Sequence, residues 1–246
     1  MPAPAAAPAK KTDDLAKRFG LAPTPESVLR LTQLVARREA SAEDVAKIIA
    51  QDKGLAARLL RAANPRADTE EDYSCTTVED ALARIGMSWV LLLAMTDPLN
   101  RAVKNAFSTL FNLELNPMLA GTAVPFEEEH VRGEVTFSGR ATGLVHIRMM
   151  PSTAATLAAR LLGLSPAELD EAAVNDVIGE LNNIVAGNFK SNLCDAGLDC
   201  KLAPPQITRT TEFELFRPDG NVAERCGFRG DDLDVFIDIS VNPWTD

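Results

Sequence analysis

The chain predicts an α+β protein in two parts: an all-helical N-terminal module, then a domain in which long helices pack on a mostly antiparallel sheet. Three observations predict it. Between about residues 13 and 98, apolar residues recur at spacings of three and four between recognisable helix caps. From residue 133 the period shortens to two, in runs that lie before and after a pair of long helical stretches instead of alternating with them. Charge divides along the same line, with 13 basic against 14 acidic side chains in residues 1–100 but 12 against 21 in residues 101–246.

The order of elements follows from local chemistry. M-P-A-P-A-A-A-P-A-K-K, within residues 1–12, has no continuous apolar stretch behind a positive charge, so it reads as a disordered tail and not a secretion signal. T-P-E-S-V-L-R-L opens with a Thr cap and proline in the first turn, and S-A-E-D-V-A-K-I-I-A-Q-D (41–52) opens with Ser followed by acids. L-A-A-R-L-L-R-A-A-N (55–64) ends before Pro65, and T-T-V-E-D-A-L-A-R-I-G stops at Gly86. The module is expected to end near Asp97-Pro98, leaving an apolar face around Trp89 to Met95 in need of cover. A helix from about Asn100 to Leu115 then leads into the second domain, residues 99–246.

That domain reads as strands at 133–139 and 143–149, a helix at 154–164, the helix Asp170 to Leu193, and strands near Gln206–Thr211, Val222–Phe228 and Leu233–Val241. In the long helix, Val174, Val177, Ile178, Leu181, Ile184 and Val185 form a core-facing stripe. Asp176, Glu180 and Asn183 stand at i, i+4 and i+7, which aligns them as a short polar ridge. A carboxylate and a carboxamide one turn apart can act on a phosphorylated partner: the carboxylate pairs with a lysine, and the amide holds a water in line with phosphorus. Glu and Asn at this spacing also occur on ordinary solvated helices, so the context decides.

The context is D-x-x-x-E-x-x-N (Asp176, Glu180, Asn183), then A-G-N-F-K and Pro204-Pro205, preceded by G-E-V-T-F-S-G, G-L-V-H-I-R-M and A-A-T-L-A-A-R-L-L-G-L. This text resembles the CheC/CheX family of chemotaxis phosphatases, CheX type, over roughly Ala102 to Val241. One departure is visible: Gln206 stands where the family has proline, with Pro205 one residue early. The resemblance implies dephosphorylation of the aspartyl phosphate of a CheY-like receiver in two-component signalling, with Asn183 orienting the attacking water, Glu180 contacting the receiver's lysine and Asp176 supporting the binding surface. It implies no cofactor of the protein's own, Mg²⁺ being supplied by the receiver, and a homodimer through the outer sheet face as an option. A non-catalytic adaptor that binds a receiver is the competing expectation.

The N-terminal runs L-A-P-T-P-E-S-V-L-R-L, S-A-E-D-V-A-K-I-I-A-Q-D, L-A-A-R-L-L-R-A-A-N and V-E-D-A-L-A-R-I-G resemble the first half of an HDOD domain, truncated relative to that family. With no histidine in that region, metal-dependent phosphohydrolysis of the HD type is excluded. Other sites are weaker. Cys75, Cys194, Cys200 and Cys226 form no C-x-x-C pair and read as free thiols of a cytoplasmic protein; His130 and His146 are isolated; Glu127 to Glu129 and Asp231, Asp232 and Asp234 read as charged turns and not a metal loop. The acidic C-terminal half argues against a nucleic-acid partner, and Trp89 to Met95 is too short to cross a membrane.

Overall fold

The computed structural model of the chain describes residues 25–37, 40–64, 74–118, 126, 128–215, 222–231 and 233–242. The expected N-terminal tail lies outside them, as do Glu127 and Asp232. Two compact units emerge, residues 1–94 and 95–246.

The first unit is helical: α1 (Pro25–Val35), α2 (Ala42–Gln51), α3 (Lys53–Ala63), α4 (Val78–Ile85) and the start of α5 (Met87–Phe111). Its caps explain its boundaries. The Ser41 hydroxyl accepts from the Asp44 amide at 3.1 Å, and Thr77 does the same for Asp80 at 3.1 Å. Asp52, read from the sequence as the last residue of a helix, instead joins two: it ends α2 and accepts from the amides of Gly54 and Leu55 at the head of α3. Buried Asn64 bonds the carbonyls of Leu60 and Cys75 and the amide of Cys75, fixing the chain between α3 and α4. Gly86 ends α4 with φ +81°, a conformation that a side chain would strain.

The expected break at Pro98 does not occur. A single helix, α5, runs from Met87 to Phe111 with Pro98 inside it, and the division between units falls between Ala94 and Met95. An interior proline costs about 3 kcal/mol by removing one hydrogen bond and crowding the carbonyl four residues back, here that of Ala94. Burial outweighs this cost, since Leu91, Leu92, Leu99, Val103 and Phe107 are all at most 1% exposed and each such side chain contributes about 1.5–3 kcal/mol. The apolar run expected to need cover has it: Val90 to Met95 are buried in the full chain.

The second unit is built on a seven-stranded sheet in the order β1-β6-β7-β3-β2-β4, with β5 also on β2. Its strands are β1 (Asn116–Pro117), β2 (His130–Gly139), β3 (Thr142–Met149), β4 (Cys200–Leu202), β5 (Gln206–Thr210), β6 (Val222–Gly230) and β7 (Leu233–Asn242), and every pairing is antiparallel. The two short strands β1 and β4 have too few residues to show a period, which is why the sequence did not show them. Between β3 and β4 come α6 (Pro151–Leu162) and α7 (Glu171–Asp195).

Alternation assigns the faces. Val131, Gly133, Val135 and Phe137 of β2 look toward α7, where Phe137 meets Phe189 at 6.0 Å between ring centroids and a Cβ on Gly133 would lie 3.2 Å from the Asn182 amide. The intervening residues, and their partners Arg148, His146 and Asp238 on β3 and β7, form the opposite face. A second subunit was one option for covering that face. Over β3 and β7 it is instead buried in the chain itself, Leu144, His146, Arg148, Phe236, Asp238 and Ser240 all being at most 5% exposed.

Candidate functional site

Asp170 caps α7, its carboxylate accepting from the Ala173 amide at 2.8 Å, and Arg209 of β5 reaches Asn175 at 3.3 Å and Glu171 at 3.4 Å, which ties the first turn to the sheet. The apolar stripe holds as the sequence predicts for Val174, Val177, Ile178, Leu181 and Val185, which are buried; Ile184 is half-exposed at the edge of the stripe. The opposite face emerges. Asp176 and Glu180 are exposed, Asn183 is partly exposed, and among the described residues none forms a hydrogen bond or ion pair with any of these three side chains. The three expected site residues therefore lie on one helix face, about 10 Å from first to last at 1.5 Å per residue.

Two features of the site were not visible in the sequence. Gly179, between Asp176 and Glu180, is buried, and a Cβ there would stand 3.5 Å from Pro205 Cγ, so the β4–β5 turn is seated against the middle of α7. Pro205 thus reaches the helix even though it stands one residue before the family position. Asn182, next to Asn183, is fully buried toward Gly133, with no protein partner for its amide among the described residues. The adjacent asparagines have opposite roles: one is exposed and the other is packed into the core.

The opposite face of the sheet holds a different kind of polar cluster. Asp238, 1% exposed, accepts from Arg148 Nε at 2.8 Å and from Arg225 Nε and Nη2 at 2.5 and 2.7 Å. Arg148 also donates to His130 Nε2 and to the Glu212 carbonyl, and Arg225 donates to the Phe213 carbonyl while its guanidinium sits 4.0 Å over the Phe213 ring. His146 bonds Glu134 at 2.6 Å. Burial lowers the pKa of both His130 and His146, for His130 with help from the nearby Arg148, and for His146 against the opposing pull of Glu134. Both histidines are therefore neutral, packed members of this cluster, and His146 is a strand residue as the sequence suggested.

The remaining candidates stay apart from the ridge. Cys75, Cys194, Cys200 and Cys226 form no disulfide among the described residues, and burial raises the Cys200 thiol to about 11. Among the described residues there is no group of three His, Cys, Asp or Glu that could hold a metal ion, and no helix long and apolar enough to cross a membrane.

Comparison with known proteins agrees with this geometry. Residues 131–228 match the sequence model of the family described as chemotaxis phosphatase CheX, and residues 21–116 match that of the HDOD domain. The C-terminal unit is a CheX-like domain. Its fold is shared with the crystal structure of the chemotaxis protein CheX from Vibrio vulnificus, at 25% identity and a TM-score of 0.50, over 60% of this chain and 95% of that one. A CheC-like superfamily protein from Shewanella sp. PV-4 superposes with a TM-score of 0.52 at 23% identity, over 60% of this chain and 96% of its own. A chemotactic CheC-like protein from Shewanella oneidensis MR-1 does so with 0.50 at 21%, over 60% and 97%. No curated protein matches the chain. The CheX match includes all of α7 and so all three ridge residues, while the HDOD match runs past Pro98 to the start of β1.

Proposed function

We propose that the CheX-like domain removes the phosphoryl group from the aspartyl phosphate of a CheY-like receiver domain. The observation that carries this reading is the pair Glu180 and Asn183, one turn apart on α7, the first exposed and the second partly so, both without a partner among the described residues, in a domain matching a family of chemotaxis phosphatases. The receiver would dock along the ridge. Glu180 pairs with the lysine of the receiver's site, and the Asn183 amide, a donor and an acceptor, holds a water behind the phosphorus. The water oxygen forms the new bond to phosphorus as the bond to the aspartyl oxygen breaks, giving inorganic phosphate and a free aspartate. Asp176 contributes to the docking surface.

An acyl phosphate is a reactive compound, and the Mg²⁺ that neutralises its charge belongs to the receiver, so positioning is the main task left to this protein. The competing reading is an adaptor that binds a receiver without catalysis. Phosphate release from a panel of phosphorylated CheY-like receivers of the same genome decides between them: acceleration of at least one by the full chain supports the phosphatase, and binding without acceleration supports the adaptor.

A further inference from the structure

Among the described residues the large apolar side chains left exposed are Leu29, in the first unit, and Leu161, Leu162 and Leu164 at the end of α6, exposed by 38%, 46% and 46%. Leu161 and Leu162 continue the core stripe of α6, and Leu164 follows just past its end. Ala154, Leu157 and Ala158 are fully buried, and Leu161, one turn beyond Leu157, points the same way but has run past its cover. The segment that presents them is fixed. Gly163 turns the chain with φ +68°, the Leu164 amide donates to the Ala159 carbonyl at 3.1 Å, and Ser165 and Glu168 close a capping box in which the Glu168 carboxylate accepts from the Ser165 amide at 2.8 Å. A rigid apolar patch costs little to order on binding.

We infer that this leucine patch belongs to the docking surface for the same receiver domain, meeting an apolar area on it that is flanked by basic side chains. The inference rests on the function proposed above. Two arguments select this occupant. The patch lies beside the helix that carries the ridge: α6 packs on α7, and only residues 165–169 separate Leu164 from the cap of α7. From the first residue of α7 to Asn183 is about 18 Å, less than the roughly 32 Å width of the ~800 Å² that each partner of a standard interface covers. The charge is mainly acidic as well, because residues 160–190 contain Glu168, Asp170, Glu171, Asp176 and Glu180 against Arg160, which pairs with Asp231, and Lys190 at the two ends, while Arg209 approaches Glu171 from the sheet. A second copy of this chain would bring the same carboxylates against these and be repelled; a receiver with basic side chains around an apolar centre would not.

Calorimetry with the full chain and the CheY-like receivers of the same genome, activated with beryllofluoride and Mg²⁺, tests this. Leu162→Ser/Leu164→Ser should weaken binding about tenfold or more, as loss of a central apolar anchor does, whereas Leu29→Ser should change it less than twofold. The single Leu164→Ser, outside the helix, repeats the test if the double variant melts early. Unchanged affinity in the double variant, or an equal loss with Leu29→Ser, overturns the patch and leaves the phosphatase standing. A fall in molar mass by light scattering with receiver affinity unchanged assigns the patch to self-association and also overturns it. If no receiver binds the wild-type chain, the proposed function falls and the patch with it.

Discussion

The two faces of the CheX-like sheet spend their polar residues in opposite ways. On α7, Glu180 and Asn183 stand in solvent with no partner among the described residues. Across the sheet, Asp238 is buried and takes three hydrogen bonds from two arginines, whose other donors hold the carbonyls of Glu212 and Phe213. An unpaired carboxylate and amide are tolerable where water solvates them, and they stay available to a partner; a buried charge has to be fully paired or it destabilises the fold. Polar groups on the α7 face should therefore act on function and those on the far face on stability.

The largest expected effect is on the far face. Asp238→Ala leaves buried Arg148 and partly buried Arg225 without their anion and should cost about 3–5 kcal/mol. For a unit of this size that corresponds to a fall of roughly 10 °C or more in the melting temperature, readable by circular dichroism. A loss under 1 kcal/mol would show that water replaces the pair and that the two faces are not so different.

Asn183→Ala comes next. It should lower receiver dephosphorylation about a hundredfold or more, the effect of losing one positioning contact worth roughly 2.7–4 kcal/mol of barrier, with receiver binding and melting temperature nearly unchanged. Single-turnover kinetics on a phosphorylated receiver measure this, and equal turnover in mutant and wild type removes Asn183 from the chemistry.

Glu180→Gln keeps size and removes charge. Losing a charge-assisted contact of about 1.5–3 kcal/mol should appear mainly as a raised KM, with some loss of kcat. A pure kcat defect at constant KM would instead point to proton transfer by Glu180.

The smallest effect concerns pH. His130 and His146 have folded-state pKa values below the ordinary 6.5, mainly because of burial. The unfolded chain then takes up protons first as the pH falls, so these groups contribute stability above about pH 6.5 that is lost below it. The melting temperature should drop between pH 7.5 and 5.5, and drop less in His146→Gln; an equal drop in that variant assigns the acid sensitivity to other groups.

The ridge and most of the helices were legible in the sequence because both are local. A cap, a 3.6-residue period and an i, i+4, i+7 spacing act within one or two turns, and Ser41, Thr77, Gly86 and Asp170 end or begin helices where the text places them. Pro98 was misread for the same reason: its local cost is visible in the sequence, while the burial of Leu99, Val103 and Phe107 that offsets it depends on the folded unit.

By itself, the sequence determined the α+β class, the stripe and ridge of α7, and the resemblances that the comparisons with known families bear out in both halves. Only the tertiary structure decided that Asn182 is buried against Gly133, that Pro205 rests on Gly179, and that Arg148, Arg225, Asp238 and His146 meet across three strands. Those contacts join residues up to 92 positions apart, as His146 and Asp238 are. Strand order brings them together, and no periodicity within a single segment encodes it.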